Sequence, residues 1–166
     1  MVAVIGNGDP DPARDRLAEE LGAALARSGY GLVCGGLGGV MEAACRGAQS
    51  AGADVPVVGV LPGTDRAAAN PHVDVAIATG MGYARNLVVV LSADAVVAVG
   101  GASGTLSEMA HAWQLGKPLC ALGGVPGWAT DLAGRSLDGK RQDAVFAASS
   151  VAEVEAWLGD VLPTDG

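Results

Sequence analysis

The run Val96-Val97-Ala98-Val99-Gly100-Gly101-Ala102-Ser103-Gly104-Thr105-Leu106-Ser107-Glu108 constrains this chain more than any other stretch. Its first residues are small and apolar with no polar alternation, the mark of a strand covered on both faces, as in a parallel sheet. The strand breaks at glycines, and helix-compatible residues follow at once. A turn of this kind lets a ligand approach the backbone closely. It also leaves the first N–H groups of the helix without acceptors, so the junction is an anion site. Gly100, Gly101, Ser103, Gly104 and Thr105 are the candidate phosphate-binding residues. Glu108 is expected in the first helical turn, within reach of the ligand.

The rest of the chain repeats the pattern. Val2–Ile5 reads as a strand and Gly6–Pro10 as a loop. Asp11 with Pro12 marks a helix start, and Gly29 closes a helix whose apolar face carries Leu17, Leu21, Ala24 and Leu25. Strand Gly31–Cys34 ends in Gly35–Gly39, and a helix follows with Val40, Met41, Ala44 and Ala48 inward. Val55–Leu61 and Val73–Ala78 are strands separated by a surface loop, Thr64–Pro71. A helix over about Tyr83 to Ser92 carries Arg85 in its first turn. Strand Ala95–Val99 leads into a helix with Leu106, Met109, Ala110 and Trp113 at helical spacing, and strand Pro118–Leu122 comes next. Gly123–Arg141 is expected to be an irregular flap, Ala144–Ala147 an edge strand, and Val151–Leu158 a terminal helix. Strands alternating with helices over 166 residues predict one domain: an α/β, doubly wound, mainly parallel Rossmann-like sheet of about six or seven strands, with helices on both faces.

Composition narrows the function classes. The net charge is −8 and the ten basic residues form no run, so no nucleic acid is expected as a partner. No apolar segment is long enough to span a membrane, and the chain enters a strand directly rather than a signal peptide. Cys34, Cys45 and Cys120 have no CxxC spacing, which predicts free thiols in a cytoplasmic protein and no metal site. With half of the residues hydrophobic and 17% charged, some apolar surface should be shared between subunits. The helix over Leu106–Leu115 is the expected contact of a homodimer or homotetramer.

Ligands of an open parallel sheet sit beyond the carboxyl ends of its strands. Three strand-to-helix loops, Gly6–Asp9, Gly35–Gly39 and Gly100–Gly104, should share that edge. They add Gly6, Asn7, Gly35, Gly36, Gly38, Gly39 and Met41 to the candidate ligand-binding residues. Gly6-Asn7-Gly8-Asp9-Pro10-Asp11 starts like GxGxxG but ends in Asp, and no acid follows strand two, so a dinucleotide fingerprint is absent. Neither GxxxxGK[ST] nor GxSxG occurs. His72 lies in a loop, and His111 is expected to pack rather than react.

The glycine motif resembles PGGxGTxxE of the LOG proteins, cytokinin-activating phosphoribohydrolases long mislabelled as lysine decarboxylases, so no lysine decarboxylase is expected. Arg85 matches the arginine of that family's second signature, and Gly35-Gly36-Leu37-Gly38-Gly39-Val40-Met41 resembles its GGGxxGLM loop. The similarity spans about Val2 to Leu122. Gly100 stands where the family has Pro, Ala102 where it has Gly, and Ser107 where it has the first of two glutamates. Gly80-Met81-Gly82-Tyr83-Ala84-Arg85-Asn86 is closer to a sister branch that includes molybdenum-cofactor carrier proteins and is related to DNA-processing proteins.

The resemblance implies a small phosphorylated ligand and no required cofactor. The ligand is a nucleoside monophosphate, phosphate, or molybdenum cofactor. It offers two functions. In the first, a phosphoribohydrolase splits nucleoside 5′-monophosphates into base and ribose 5-phosphate, with Arg85 and Glu108 as catalytic residues and Asn86 beside them. In the second, a carrier binds a phosphorylated pterin or nucleotide without turning it over. Each key residue also has a plain structural reading. Thr105-Leu106-Ser107-Glu108 fits a capping box, Arg85 could pair with Asp94, and Trp113 and Trp128 suit packing.

Overall fold

The computed structural model describes residues 1–162. Strands β1 (Val2–Gly6), β2 (Leu32–Cys34), β3 (Val57–Leu61), β4 (Val75–Ala78), β5 (Ala95–Val99), β6 (Leu119–Leu122) and β7 (Phe146–Ala148) form one sheet in the order β4-β3-β2-β1-β5-β6-β7. Every pairing is parallel. Helices α1 (Pro12–Arg27), α2 (Val40–Ser50) and α6 (Val151–Val161) bury one face, together with Val2, Val4, Val97 and Val99. Helices α3 (Arg85–Leu91), α4 (Ser103–Gln114) and α5 (Trp128–Leu132) cover the other, over Ala3, Ile5, Val96 and Ala98. Alternate residues of each central strand therefore feed two cores, and this explains the unbroken apolar runs. Among the described residues, no helix is long and apolar enough to cross a membrane.

Several boundaries differ from those predicted. β3 starts two residues late because Pro56 has no N–H for the ladder; only its carbonyl is used, by Leu32 N at 2.9 Å. A short 3-10 turn, Gly82–Ala84, replaces the first turn of the expected helix, so Arg85 opens α3. Gly123–Arg141 contains α5 and is not wholly irregular. The last strand is shifted to Phe146, because Val145 is already engaged by the preceding turn through Gly134 N and Arg135 O.

Strand order reverses between β1 and β5. The loops that leave these two strands diverge to opposite faces, which opens a crevice at their carboxyl ends. Asn7 and Gly101 meet across it, Gly101 N donating to Asn7 Oδ1 at 2.6 Å.

Candidate functional site

A cavity of about 300 Å³ occupies this crevice. Of the predicted residues, Gly6, Gly35, Met41, Arg85, Asn86, Ser103, Gly104, Thr105 and Glu108 line it. Asn7, Gly36, Gly38, Gly39, Gly100 and Gly101 do not. Asn7 instead ties the β1 loop to the β5 loop, while Gly100 and Gly101, at φ 62° and 107°, shape the turn into α4. Val4, Ile5, Gly8, Leu37, Tyr83 and Ala102 also line the cavity. Tyr83 carried a signal that sequence reasoning passed over: it is an aromatic between two glycine-rich loops, and it is 89% exposed at the mouth.

The floor of the site is the start of α4. Ala102 is its N-cap, with extended backbone and no side-chain cap, and the first intrahelical acceptor is Ala102 O, reached by Leu106 N at 3.0 Å. The N–H groups of Ser103, Gly104 and Thr105 make no hydrogen bond to the protein among the described residues. They point toward the loop as oriented donors, reinforced by the helix dipole. The expected capping box does not form. The helix begins at Ser103, so Thr105 is its third residue, and Glu108 falls in the second turn, turned inward. Glu108 is thereby freed from a cap role.

Arg85 reaches in from α3, only 8% exposed. Its NH1 donates to Asn86 Oδ1 at 2.8 Å and to Glu108 Oε1 at 3.4 Å, while Nε has no partner. Its NH2 lies against Gly35, where any side chain would collide with it and with Met41 Sδ. Arg85 does not meet Asp94, which is held by the N-terminal ammonium at 2.8 Å. Asn86 Nδ2 donates to Ser107 Oγ at 2.9 Å, and Ser107 Oγ donates to Gly104 O at 2.7 Å. α4 thus holds Asn86 chiefly through Ser107, with a longer contact from Asn86 Nδ2 to Gly104 O at 3.4 Å, and Asn86 holds the guanidinium.

Glu108 is 5% exposed. Burial pushes its carboxyl up to about 7, opposed by the Arg85 charge. A carboxyl poised between its two forms beside a fixed cation can accept, hold or release a proton near neutral pH. Together with the free N–H groups of α4, the site can hold an anion and place one titratable group next to it.

The glycine loop is braced from behind. Trp128 N and Ala129 N donate to Gly101 O (3.2 Å) and Gly100 O (2.8 Å), which turns both carbonyls away from the cavity. Gly127, at φ 139°, rests on the Gly100 carbonyl carbon so closely that no side chain fits. This brace lies in the segment expected to be a flap, and Trp128 contributes to it through its backbone N–H.

The model of the SLOG cluster4 family matches residues 1–155. An uncharacterized protein of Archaeoglobus fulgidus is 45% identical over 122 residues, 74% of this chain and 79% of that protein. Among solved structures, the molybdenum cofactor binding protein of Rippkaea orientalis superposes with a TM-score of 0.85 at 34% identity, over 97% of this chain and 96% of that one. The molybdenum cofactor carrier protein of Chlamydomonas reinhardtii gives 0.82 at 36% identity, over 97% of each chain.

Proposed function

The chain belongs to the SLOG cluster4 family, and from that premise we propose that it binds and carries a small phosphorylated ligand without transforming it, a phosphorylated pterin such as the molybdenum cofactor. The observation that carries this reading is the pairing of the unclaimed N–H groups of Ser103, Gly104 and Thr105 with the buried Arg85 across one cavity. A phosphate seated there gains oriented backbone donors and a charge-assisted partner. Gly6, Gly35 and Met41 offer an apolar, close-fitting wall for a flat ring. Kinship with a cofactor carrier and a cofactor binding protein at 34–36% identity supports the same ligand class. Mass spectrometry of the ligand that co-purifies tests it. A phosphorylated pterin, lost on Arg85→Ala, is expected; an empty protein that takes up neither the cofactor nor phosphate overturns it.

One observation favours a second reading. Glu108, buried at the cavity and held near neutrality beside Arg85, is suited to an N-glycosidic bond that breaks with charge on the sugar. On this reading the protein is a nucleoside 5′-monophosphate phosphoribohydrolase. Incubation with AMP and assay of ribose 5-phosphate discriminates: release that stops in Glu108→Gln supports the hydrolase, and none supports the carrier.

Self-association belongs to the same proposal. Among the described residues, most exposed large apolar side chains lie from β4 to α3; α4 has none, Leu115 follows its end, and Trp128 and Phe146 stand apart on α5 and β7. Val75 and Ile77 pair in register with Val58 and Val60 and so share the sheet face under α3, and the exposed Met81, Tyr83, Leu87 and Leu91 continue it. Between Val75 and Leu91 the only charged residue is the buried Arg85. Chains of net charge −8 meet most readily on such an uncharged face, so the proposed homodimer uses it and closes the cavity mouth at Tyr83. The negative charge also argues against nucleic acid as a partner.

A further inference from the structure

Beneath the Gly35–Gly39 loop, two thiols that the binding site does not use face one another. Cys34 ends β2 and Cys45 lies in α2, one helical turn after Met41; both are fully buried, and their Sγ atoms are 3.5 Å apart. The pair is wired into the loop above it. Gly36 N donates to Cys34 Sγ at 3.3 Å, and Asn70 Nδ2 donates to Cys45 Sγ at 3.8 Å and to Leu37 O at 3.0 Å. Asn70 N also donates to Gly36 O at 2.9 Å. Gly35 and Met41, which line the cavity, are the layer between the thiols and the ligand space.

We propose that Cys34 and Cys45 form an oxidisable pair, which hydrogen peroxide entering through the cavity converts to an intramolecular disulfide that reshapes the Gly35–Gly39 loop. Cys45 is the attacking sulfur: the Asn70 amide donates to it, and the Cys34 thiol at 3.5 Å is placed to donate as well once Cys45 ionises, which favours the Cys45 thiolate. The neighbouring Cys45 sulfur, and burial after it, raise the Cys34 thiol well above its ordinary range, which keeps it protonated until it is needed. The Cys45 thiolate takes the terminal oxygen of the peroxide, becoming a sulfenic acid, and hydroxide leaves and is protonated to water. Cys34 sulfur then attacks the sulfenic sulfur; the S–S bond forms, the S–O bond breaks, and a second water leaves with the Cys34 proton. Two thiols and one peroxide become one disulfide and two waters. To bond, the sulfurs must close from 3.5 Å to about 2 Å. That movement pulls Cys34 Sγ from the Gly36 amide and Cys45 Sγ from Asn70, the contacts that set the loop. Cys120 on β6 is also buried but is separated from β2 by β1 and β5, so it has no part in the exchange.

The test uses the wild-type chain. Native protein is treated with hydrogen peroxide, then denatured, alkylated and digested with trypsin. Cys34 and Cys45 fall in one peptide, Ser28–Arg46, between Arg27 and Arg46. The expected result is that this peptide loses two hydrogens and escapes alkylation at both sulfurs while Cys120 remains alkylated; tandem spectra separate this from an oxygen added at Met41. Amide exchange over Gly35–Gly39 is expected to quicken in the oxidised protein. In Cys34→Ser the sulfenic acid at Cys45 persists and is trapped by dimedone. Two alkylated thiols after peroxide, a sulfinic acid without disulfide, or a bridge between two chains overturns the pair. Unchanged exchange over the loop overturns its coupling to the cavity.

Discussion

Arg85 is a cation placed where water reaches it poorly, fixed by Asn86 and half-neutralised by Glu108. Its unpartnered Nε and its NH2 against Gly35 leave bonding capacity that an anion can use. Hydrogen bonds to charged groups contribute about 1.5–3 kcal/mol, so Arg85→Ala is expected to weaken binding of a phosphorylated ligand by about 10- to 100-fold, measured by titration calorimetry. Glu108 sets a pH signature. Its folded carboxyl titrates at about 7 against an ordinary 4.5, so between those values the folded state holds more protons than the unfolded one. Stability then falls as pH rises through that window, and the loss is complete above it, by about 3 kcal/mol at most. Glu108→Gln removes this slope. The stability difference between variant and wild type is expected to move in the variant's favour from about pH 5 to about pH 8 in denaturant titrations at each pH. A constant difference across that range disproves the buried titration. Glu108 and Arg85 were legible as site candidates from the glycine motif and its resemblance. The role of Ser107 was not, because its partner Asn86 lies on another helix and only packing brings them together.

At the scale of elements, the start of α4 and the brace from α5 form one device. The turn through Gly100 and Gly101 frees the amides of α4, and α5 holds the turn by its carbonyls. In Gly127→Ala the new methyl must enter the space of the Gly100 carbonyl, and the backbone at φ 139° is itself strained for any other residue. The expected cost is roughly 1–3 kcal/mol of stability, with a parallel loss of ligand affinity. Gly134→Ala provides the contrast: it also has positive φ, but nothing lies within 4 Å of the new methyl. It should lose stability by about 1 kcal/mol, the ordinary left-handed penalty, and keep its affinity. Thermal denaturation and calorimetry on the two variants separate brace from backbone. The glycines announced the turn in the sequence. The brace could not be read there, since a five-residue helix between glycines has too few residues to show a period. The capping-box reading failed for a related reason. The motif fixes a spacing but not the register at which the helix begins, and that was decided by the turn at Gly100–Ala102.

For the whole molecule, the sheet follows from unbroken apolar runs alternating with helical faces, and that much was legible. The edges were harder. β4 and β7 are short and half-exposed, so their limits depend on which turn captures the neighbouring N–H groups. The apolar surface was misplaced for a similar reason. α4 is apolar because α3, α5 and the sheet cover it, whereas Val75, Ile77, Met81, Tyr83, Leu87 and Leu91 are left exposed in a single copy. Leu87→Glu and Leu91→Glu change side chains that are already exposed, so the fold should persist. Sedimentation velocity is expected to find a dimer in the wild type and a monomer in the double variant; a wild type that stays monomeric at micromolar concentration removes the dimer. The contact between Asn7 and Gly101 carries a consequence of another kind. Those residues are 94 apart in the chain, and the β1–β5 pairing beside them is equally remote. The crevice therefore cannot assemble early from local contacts, and the entropy of closing so long a loop is met only as the central strands pair. Ligand binding during refolding should appear in the slow phase that completes the sheet, and a nascent chain that has not yet extruded β5 has no site to offer.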